Sequence, residues 1–288
     1  MEQDYCIRGV ALNNQVRFFI ANTKNIVEEA MKRYNLTPLS AAALGRTLTA
    51  ASMMGMNLKG DDTLTITFKG DGPLGNVVAR SNSLGEVKGY CDNPEVDLPV
   101  KENGKIDVSG GIGFGTLYIA KDMGLKDPYV GTVPIVSGEI GEDLTEYYYS
   151  SEQTLSAVGL GVLVDVDYTI IAAGGFIIQL MPEAGNETGM LLEKRIGLIS
   201  SISSYFIDNT PEDLVKLFFG DDYKILDNKE INFKCHCNKD NFAVALLTLG
   251  KDELEKLAQD KEIEVVCQFC NEKYIFDKDE IKHLIANN

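Results

Sequence analysis

The stretch TLTITFKGDGPLGNVVARSNSLGEVKGYC, from Thr63 to Cys91, alternates apolar and polar residues. Leu64, Ile66 and Phe68 fall on one face of an extended chain, and glycine-rich turns cut the run into short pieces. That is the pattern of antiparallel strands joined by tight turns. GDGPLG (Gly70 to Gly75) reads as one of those turns: it lacks the Lys-Ser/Thr of a P-loop and the spacing of a dinucleotide fingerprint.

The flanks extend the pattern. YCIRGVALNNQVRFFIAN (Tyr5 to Asn22) predicts two strands around a turn at Asn13-Asn14. TKNIVEEAMKRYN places Ile26, Ala30, Met31 and Tyr34 at helical spacing behind Thr23, a candidate cap. TPLSAAALGRTLTAASMMG (Thr37 to Gly55) predicts a second, largely buried helix with Pro38 in its first turn. GTLYIAKD and VGTVPIVSG continue as strands, and GEDLTEYYYSSEQTLSAVG predicts a helix with Leu144, Tyr147, Tyr148 and Ser151 on one side. VLVDVDYTIIAAGGFIIQLMPEAG predicts two strands meeting near Gly174-Gly175, and Pro182 and Gly185 then end the β-rich portion.

From Glu187 the texture becomes helical. ETGMLLEKRIGLISSISSYFID is followed by TPEDLVKLFFG, with Thr210 as cap, Pro211 in the first turn, acidic Glu212 and Asp213, and Gly220 as stop. This segment has apolar faces but too few residues for a core of its own, so it should lie against the β-rich part. The reading is an α+β protein in three parts: a β-rich core domain with packed helices over 1–186, a helical linker region over 187–230, and a small C-terminal domain over 231–288. The last part, about 60 residues, is short for an independent core, and such domains are often stapled by metal or disulfides.

The staple is visible in INFKCHCNKD and VVCQFCNEKY. Four of the six cysteines stand in two tight pairs, Cys235 with Cys237 and Cys267 with Cys270. C-x-C followed by C-x-x-C matches the needs of tetrahedral zinc (Zn2+), each pair bringing two sulfurs to one ion. The residues between the pairs carry two short helical patterns and can fold back. His236, trapped between two ligating cysteines, is read as lying outside the first coordination sphere. A closed four-cysteine shell leaves no open position for substrate, which argues against zinc hydrolysis. The same pairs suit redox chemistry, because oxidation to a disulfide removes thiolate ligands and a domain dependent on the ion would unfold. Cys6 and Cys91, in strand-like runs, read as small buried hydrophobes.

Composition bounds the alternatives. With 288 residues, 44% hydrophobic, the chain can build a sizeable core, and a formal charge of −16 repels nucleic-acid backbones and anionic membranes. The segment 231–288 is itself net acidic, with eight Lys against eleven Asp and Glu. No apolar run reaches the roughly 18 residues of a membrane span. MEQDYCIRGV lacks the pattern of a signal peptide, so the expected location is the cytoplasm. A serine triad finds no histidine near EYYYSSEQ, since His236 and His283 both lie in the last segment; no catalytic residues are expected. The three tyrosines are read as an aromatic helix side packed on the sheet.

These residues resemble a known family. The two cysteine pairs at this separation, GEDLTEYYYSSEQT (Gly141 to Thr154), AAGGFIIQLMP (Ala172 to Pro182) and GDGPLG are together similar to the redox-regulated 33-kDa heat-shock chaperones, over the whole chain. Asn238 stands where a small hydroxyl residue is expected. The resemblance implies a cytoplasmic holdase that uses no ATP and is inactive when reduced and zinc-loaded. Oxidation would join Cys235 to Cys237 and Cys267 to Cys270, release zinc and unfold the C-terminal domain. The linker would then loosen and expose apolar surface to unfolding client proteins, the active form being a homodimer. Candidate client contacts, covered at rest, are Leu191, Leu192, Ile196, Leu198, Ile199, Phe206, Leu214, Leu217 and Phe218. A C-x-x-C ring is less strained than a C-x-C ring, so Cys267–Cys270 should close first. Two other classes remain open: a constitutive zinc-ribbon module for protein or nucleic acid, and a metal-free thiol-disulfide oxidoreductase.

Overall fold

The computed structural model describes residues 3–286 and divides into two units, Met1–Phe233 and Lys234–Asn288. The larger unit opens with β1 (Tyr5–Ala11), β2 (Val16–Asn22), α1 (Lys24–Tyr34) and α2 (Pro38–Gly55). A meander follows: β3 (Thr63–Gly70), β4 (Asn76–Asn82), β5 (Glu86–Cys91), α3 (Val108–Ile112), β6 (Gly115–Asp122) and β7 (Tyr129–Pro134). Then come α4 (Gly141–Ser150), β8 (Ser156–Val164), β9 (Ile170–Leu180), α5 (Asn186–Ile196), α6 (Ile202–Tyr205), α7 (Pro211–Phe219), β10 (Tyr223–Glu230) and β11 (Asn232–Phe233).

Two sheets form, one ordered β10-β1-β2-β9-β8 and the other β11-β5-β4-β3-β6-β7. Helix α2 lies between them, touching β2, β8 and β9 on one side and β3, β4 and β5 on the other. From Leu39 to Gly55 every residue of α2 is buried except Arg46. Three of its hydroxyls bond back within the helix, Thr47 to the Ala43 carbonyl at 2.8 Å, Thr49 to that of Gly45 at 2.8 Å and Ser52 to that of Leu48 at 2.9 Å, while Ser40 bonds the Pro94 carbonyl at 2.7 Å. Arg46 pairs with Glu139 at 2.7 Å, and Lys101 holds the same carboxylate at 2.6 Å.

The strand alternation read from Thr63 to Cys91 is present as β3, β4 and β5. The turn before β9 is not at the glycines: β8 and β9 are joined through 165–169, and Gly174 and Gly175 sit inside β9. They are glycines because neighbours press on the backbone. A Cβ at Gly174 would stand 2.6 Å from the Ala21 carbonyl, and one at Gly175 would stand 2.6 Å from that of Gly159.

The expected helical segment 187–230 is helical only in part. Its last eight residues are strand β10, which completes the five-stranded sheet against β1. The alternation of Tyr223 and Ile225 and the otherwise open edge of β1 outweigh the strand-poor composition of the piece. Helices α5 to α7 cover the face of this sheet that turns away from α2. Leu192, Phe206, Leu214 and Phe218 are buried there with Ile7, Phe18, Ile20 and Ile178, while Ile196, Ile199 and Leu217 pack at the margin. Phe219 stacks on Phe18 and Phe218 meets Phe176 edge-on, each at 5.1 Å between ring centres. Leu191 is half-buried, and Leu198, expected to be covered, is 68% exposed because it lies in the short connection after α5. The smaller unit begins at Lys234; Ile231 belongs to the core of the larger one.

Two buried aspartates organise loops and helix ends. Asp143 takes the backbone N–H groups of Val136, Ser137, Gly138 and Ile140 at 2.8 to 3.2 Å, gathering the loop that enters α4. Tyr147 on α4 is buried and donates to Glu152 at 2.7 Å, and Lys121 of β6 pairs with the same carboxylate at 2.6 Å. Tyr147 and Tyr148 therefore pack inward, with the Tyr147 tip bonded, whereas Tyr149, expected on the same packed side, is 61% exposed on the opposite face of α4.

At α1 the expected cap is displaced. Thr23 occupies the cap position, but its hydroxyl bonds that of Thr49 at 2.7 Å. The capping acceptor is Asp4, just ahead of β1, which receives the Asn25 N–H at 3.1 Å and the Ile26 N–H at 2.7 Å. Burial raises the Asp4 carboxyl from the usual 3.8 to about 6, against the pull of those amides. A carboxyl raised by folding holds its proton more tightly in the folded chain than in the unfolded one. Its contribution is therefore full below about pH 4 and fades as the pH rises through 6. Urea unfolding of wild type and Asp4→Asn between pH 4 and 7 should show the wild type's relative stability falling with rising pH, by up to about 3 kcal/mol. A difference that stays flat with pH would contradict this role.

Candidate metal centre

The smaller unit comprises α8 (Lys239–Leu247), α9 (Lys251–Leu257), β12 (Glu262–Val266), β13 (Lys273–Asp277) and α10 (Lys278–Ala286). The two helices expected between the cysteine pairs are α8 and α9. Strands β12 and β13 form an antiparallel hairpin. Apart from the cysteines, only Leu246, Leu254, Phe276 and Ile281 are fully buried apolar residues here, among the described residues. That is a thin core.

Cys235 and Cys237 lie on the irregular strand that enters α8. Asn238 caps that helix, its side-chain oxygen accepting the Asn241 N–H at 2.8 Å. A serine or threonine would cap in the same way, so the departure from the expected hydroxyl leaves local structure intact. Cys267 and Cys270 occupy the turn between β12 and β13. The turn is closed by Cys270 N–H to the Cys267 carbonyl at 3.3 Å and Asn271 N–H to the same carbonyl at 2.8 Å, with Asn271 in the left-handed region at φ 59°. The amides of Phe269 and Glu272 donate to the sulfurs of Cys267 and Cys270.

Hairpin turn and entry strand bring all four sulfurs within 4.8 Å of one another. Cys235 Sγ lies 3.9 Å from Cys267 Sγ, and Cys237 Sγ 3.3 Å from Cys270 Sγ. A disulfide would need about 2.05 Å, and all four are free thiols. A tetrahedral ion with metal–sulfur bonds of about 2.3 Å has sulfur–sulfur edges of about 3.8 Å, which these separations bracket. The four residues fit one metal ion with a closed shell. His236 is exposed and outside the group.

The sulfurs are not equivalent. Cys267 and Cys270 are buried at 5% and 3% exposure, whereas Cys235 and Cys237 are half-buried. Burial pushes the thiols of Cys267 and Cys270 up. At Cys237 burial acts the same way, but the hydrogen bonds from Tyr274 and the neighbouring thiols outweigh it and its thiol lies below the ordinary value. Tyr274 was not singled out from the sequence. Its hydroxyl stands 3.3 Å from Cys237 Sγ and bonds the Cys237 carbonyl at 3.1 Å, and its ring packs on Phe242 at 5.1 Å. The only signal was its place in the alternating run after Cys270.

Fold and site together define a two-unit α+β protein whose small C-terminal unit is built around four clustered thiols that could hold a metal ion. Comparison with known proteins is specific. The model of the family described as Hsp33 protein matches residues 4–277. The 33 kDa chaperonin of Desulforamulus reducens is 46% identical, over 98% of this chain and 97% of its own length. That of Bacillus subtilis is 45% identical over 98% of each. The crystal structure of the 33 kDa chaperonin of Thermotoga maritima aligns with a TM-score of 0.93 at 39% identity, covering 100% of this chain and 99% of that one. The chain belongs to the Hsp33 family, and its role is that of a chaperone. Among the described residues no helix is long and apolar enough to cross a membrane.

With four buried apolar residues beneath it, the centre should hold its unit together. Stripping metal from the reduced protein with a chelator should collapse the NMR amide signals of residues 234–286 into the narrow range of an unfolded chain. The larger unit should keep its own thermal transition. Persistence of both sets of signals would show a core that needs no metal.

Proposed function

We propose that this protein is a redox-regulated, ATP-independent holdase of the cytoplasm, silent while its four thiolates hold zinc and active once they are oxidised. The observation that carries the reading is the convergence of four sulfurs in a unit with so thin a core. Zinc bound there would supply about 10–16 kcal/mol of folding free energy, as in small zinc-finger peptides.

The residues do the switching. Each thiolate pair closes a disulfide by giving two electrons to the oxidant; one molecule of hydrogen peroxide takes them, takes two protons from solvent and leaves as two waters, and with both pairs oxidised the metal departs as Zn2+. The paired sulfurs, Cys235 with Cys237 and Cys267 with Cys270, are then no longer thiolate ligands. The unit loses its organising contact and unfolds. Cys235 follows directly on Phe233 and Lys234, so disorder beginning at the centre is passed along the chain towards the covering segment 187–230.

Release of that segment frees Leu192, Phe206, Leu214 and Phe218 and uncovers the sheet beneath them, with Leu191, Ile196, Leu198, Ile199 and Leu217 at the margin. Unfolding clients bind this surface, and the activated form is a homodimer. Ring closure favours the longer C-x-x-C loop, so Cys267–Cys270 forms first although its sulfurs are the more buried. Mass mapping after brief peroxide treatment should find that disulfide in the earliest oxidised species; early accumulation of Cys235–Cys237 alone would reverse the order.

A coupled measurement tests the switch itself. Reduced protein treated with peroxide is followed with a zinc-chelating dye while light scattering records a heat-denaturing client. Zinc release and suppression of scattering should rise together. Zinc release with no gain in protection would leave a purely structural metal site and would falsify the switch.

A further inference from the structure

Strand β10 is the last piece of the segment whose redox release is proposed above, and the inference drawn here rests on that release. It is an edge strand, and among the described residues its only strand partner is β1. Seven residue pairs join them, from Tyr5 opposite Glu230 to Ala11 opposite Tyr223. We infer that the edge of β1 vacated by β10 is itself a client-binding site, taking an extended client segment as an added antiparallel strand.

The two strands are unequal. β10 reads YKILDNKE, and five of its eight residues are Lys, Asp, Asn or Glu, types depleted in strands. Its apolar attachment is limited to Tyr223 and Ile225, both only partly buried. The ladder is interrupted by a bulge opposite Arg8 and Gly9, and Leu226, left out of the pairing, is 53% exposed. One ion pair, Arg8 with Asp227 at 3.6 Å, crosses between the strands with both side chains about a third exposed, and such a pair adds little.

β1 is anchored independently. On its other side it pairs with β2 over seven residues without a register break, and its Cys6 and Ile7 are fully buried. Departure of β10 therefore leaves β1 in place, with a row of backbone N–H and C=O groups unpaired. Such an edge is a template for any extended chain.

The geometry also states what the chain must be. Tyr223 lies opposite Ala11 and Ile225 opposite Gly9, on the side where Ile7, Ala11 and Phe18 form the apolar cluster. A Cβ on Gly9 would come within 2.5 Å of the Lys224 carbonyl, so the incoming backbone approaches closely there. The occupant is an extended segment with apolar residues at alternate positions and no proline across the ladder. Main-chain hydrogen bonds supply most of the attachment, and only two side chains need seats, so many sequences qualify. An unfolding protein that has lost a strand partner offers such a segment. At rest β10 is the stand-in that keeps the edge closed.

Hydrogen exchange on the full-length protein tests this. Peptides covering residues 5–11 are followed in the reduced protein, after peroxide, and after peroxide with reduced, carboxymethylated lactalbumin as a permanently unfolded client. Exchange should quicken by about tenfold on oxidation and slow again by about tenfold with client, while β4 stays slow throughout. If oxidation leaves residues 5–11 protected, β10 has not left, and the release reading fails along with the inference. If oxidation frees them and client does not restore protection, strand addition is wrong while release stands. Protection that returns without client, in proportion to protein concentration, would assign the edge to a second copy of this chain and overturn the proposal.

Discussion

A helix that offers water only one charged side chain must be enclosed, and α2 is such a helix over 18 residues. Its backbone groups bond within the helix, three of its four hydroxyls fold back onto its own carbonyls, and small residues let both sheets come close. A Cβ on Gly45 would meet Val27 and Val162 at under 3 Å. Each sheet therefore commits one face to α2. The six-stranded sheet leaves its other face to water, with Thr63, Thr65 and Thr67 of β3 alternating with the buried Leu64, Ile66 and Phe68. The five-stranded sheet is apolar on both faces and needs a second cover. Helices α5 to α7 supply that cover, with Leu192, Phe206, Leu214 and Phe218 buried on it.

The two units obey different physics. The larger draws its stability from a continuous apolar interior, with Asp143 holding four backbone amides and Arg46 paired through Nη1 to Glu139. The smaller has four buried apolar residues, a hairpin and three short helices, and its organising contacts pass through sulfur. Apolar burial responds gradually to conditions. Clustered thiols answer instead to the chemistry of their own atoms, since oxidation turns a thiol pair into a disulfide.

Much of this was legible from residue order. The β3–β5 meander, the buried character of α2 and the caps of α7 follow from local patterns, which the fold had no reason to override. The four clustered cysteines were readable because short spacings force the sulfurs of each pair together whatever the surrounding fold, and the hairpin then brings the two pairs to one place. What was missed depended on partners distant in sequence. Asp4 caps α1 from outside the helix, displacing Thr23. Gly174 and Gly175 signalled a turn, but neighbours crowd them within a strand. Tyr223–Glu230 has the composition of a linker and becomes a strand because β1 lacks a neighbour. Tyr274 reaches Cys237 only once the hairpin has folded.

The glycine pair in β9 has one more consequence. Beneath the Phe206 ring there is no side chain: a Cβ on Gly174 would fall 2.7 Å from it, so the ring rests on bare peptide. Side chains interlocked at an interface leave sockets when they part, and sockets select what returns. A peptide floor is flat and has no shape to match. Where Phe206 lifts away, the bared surface would discriminate poorly among apolar groups, a property suited to a protein that must accept damage of unforeseen sequence.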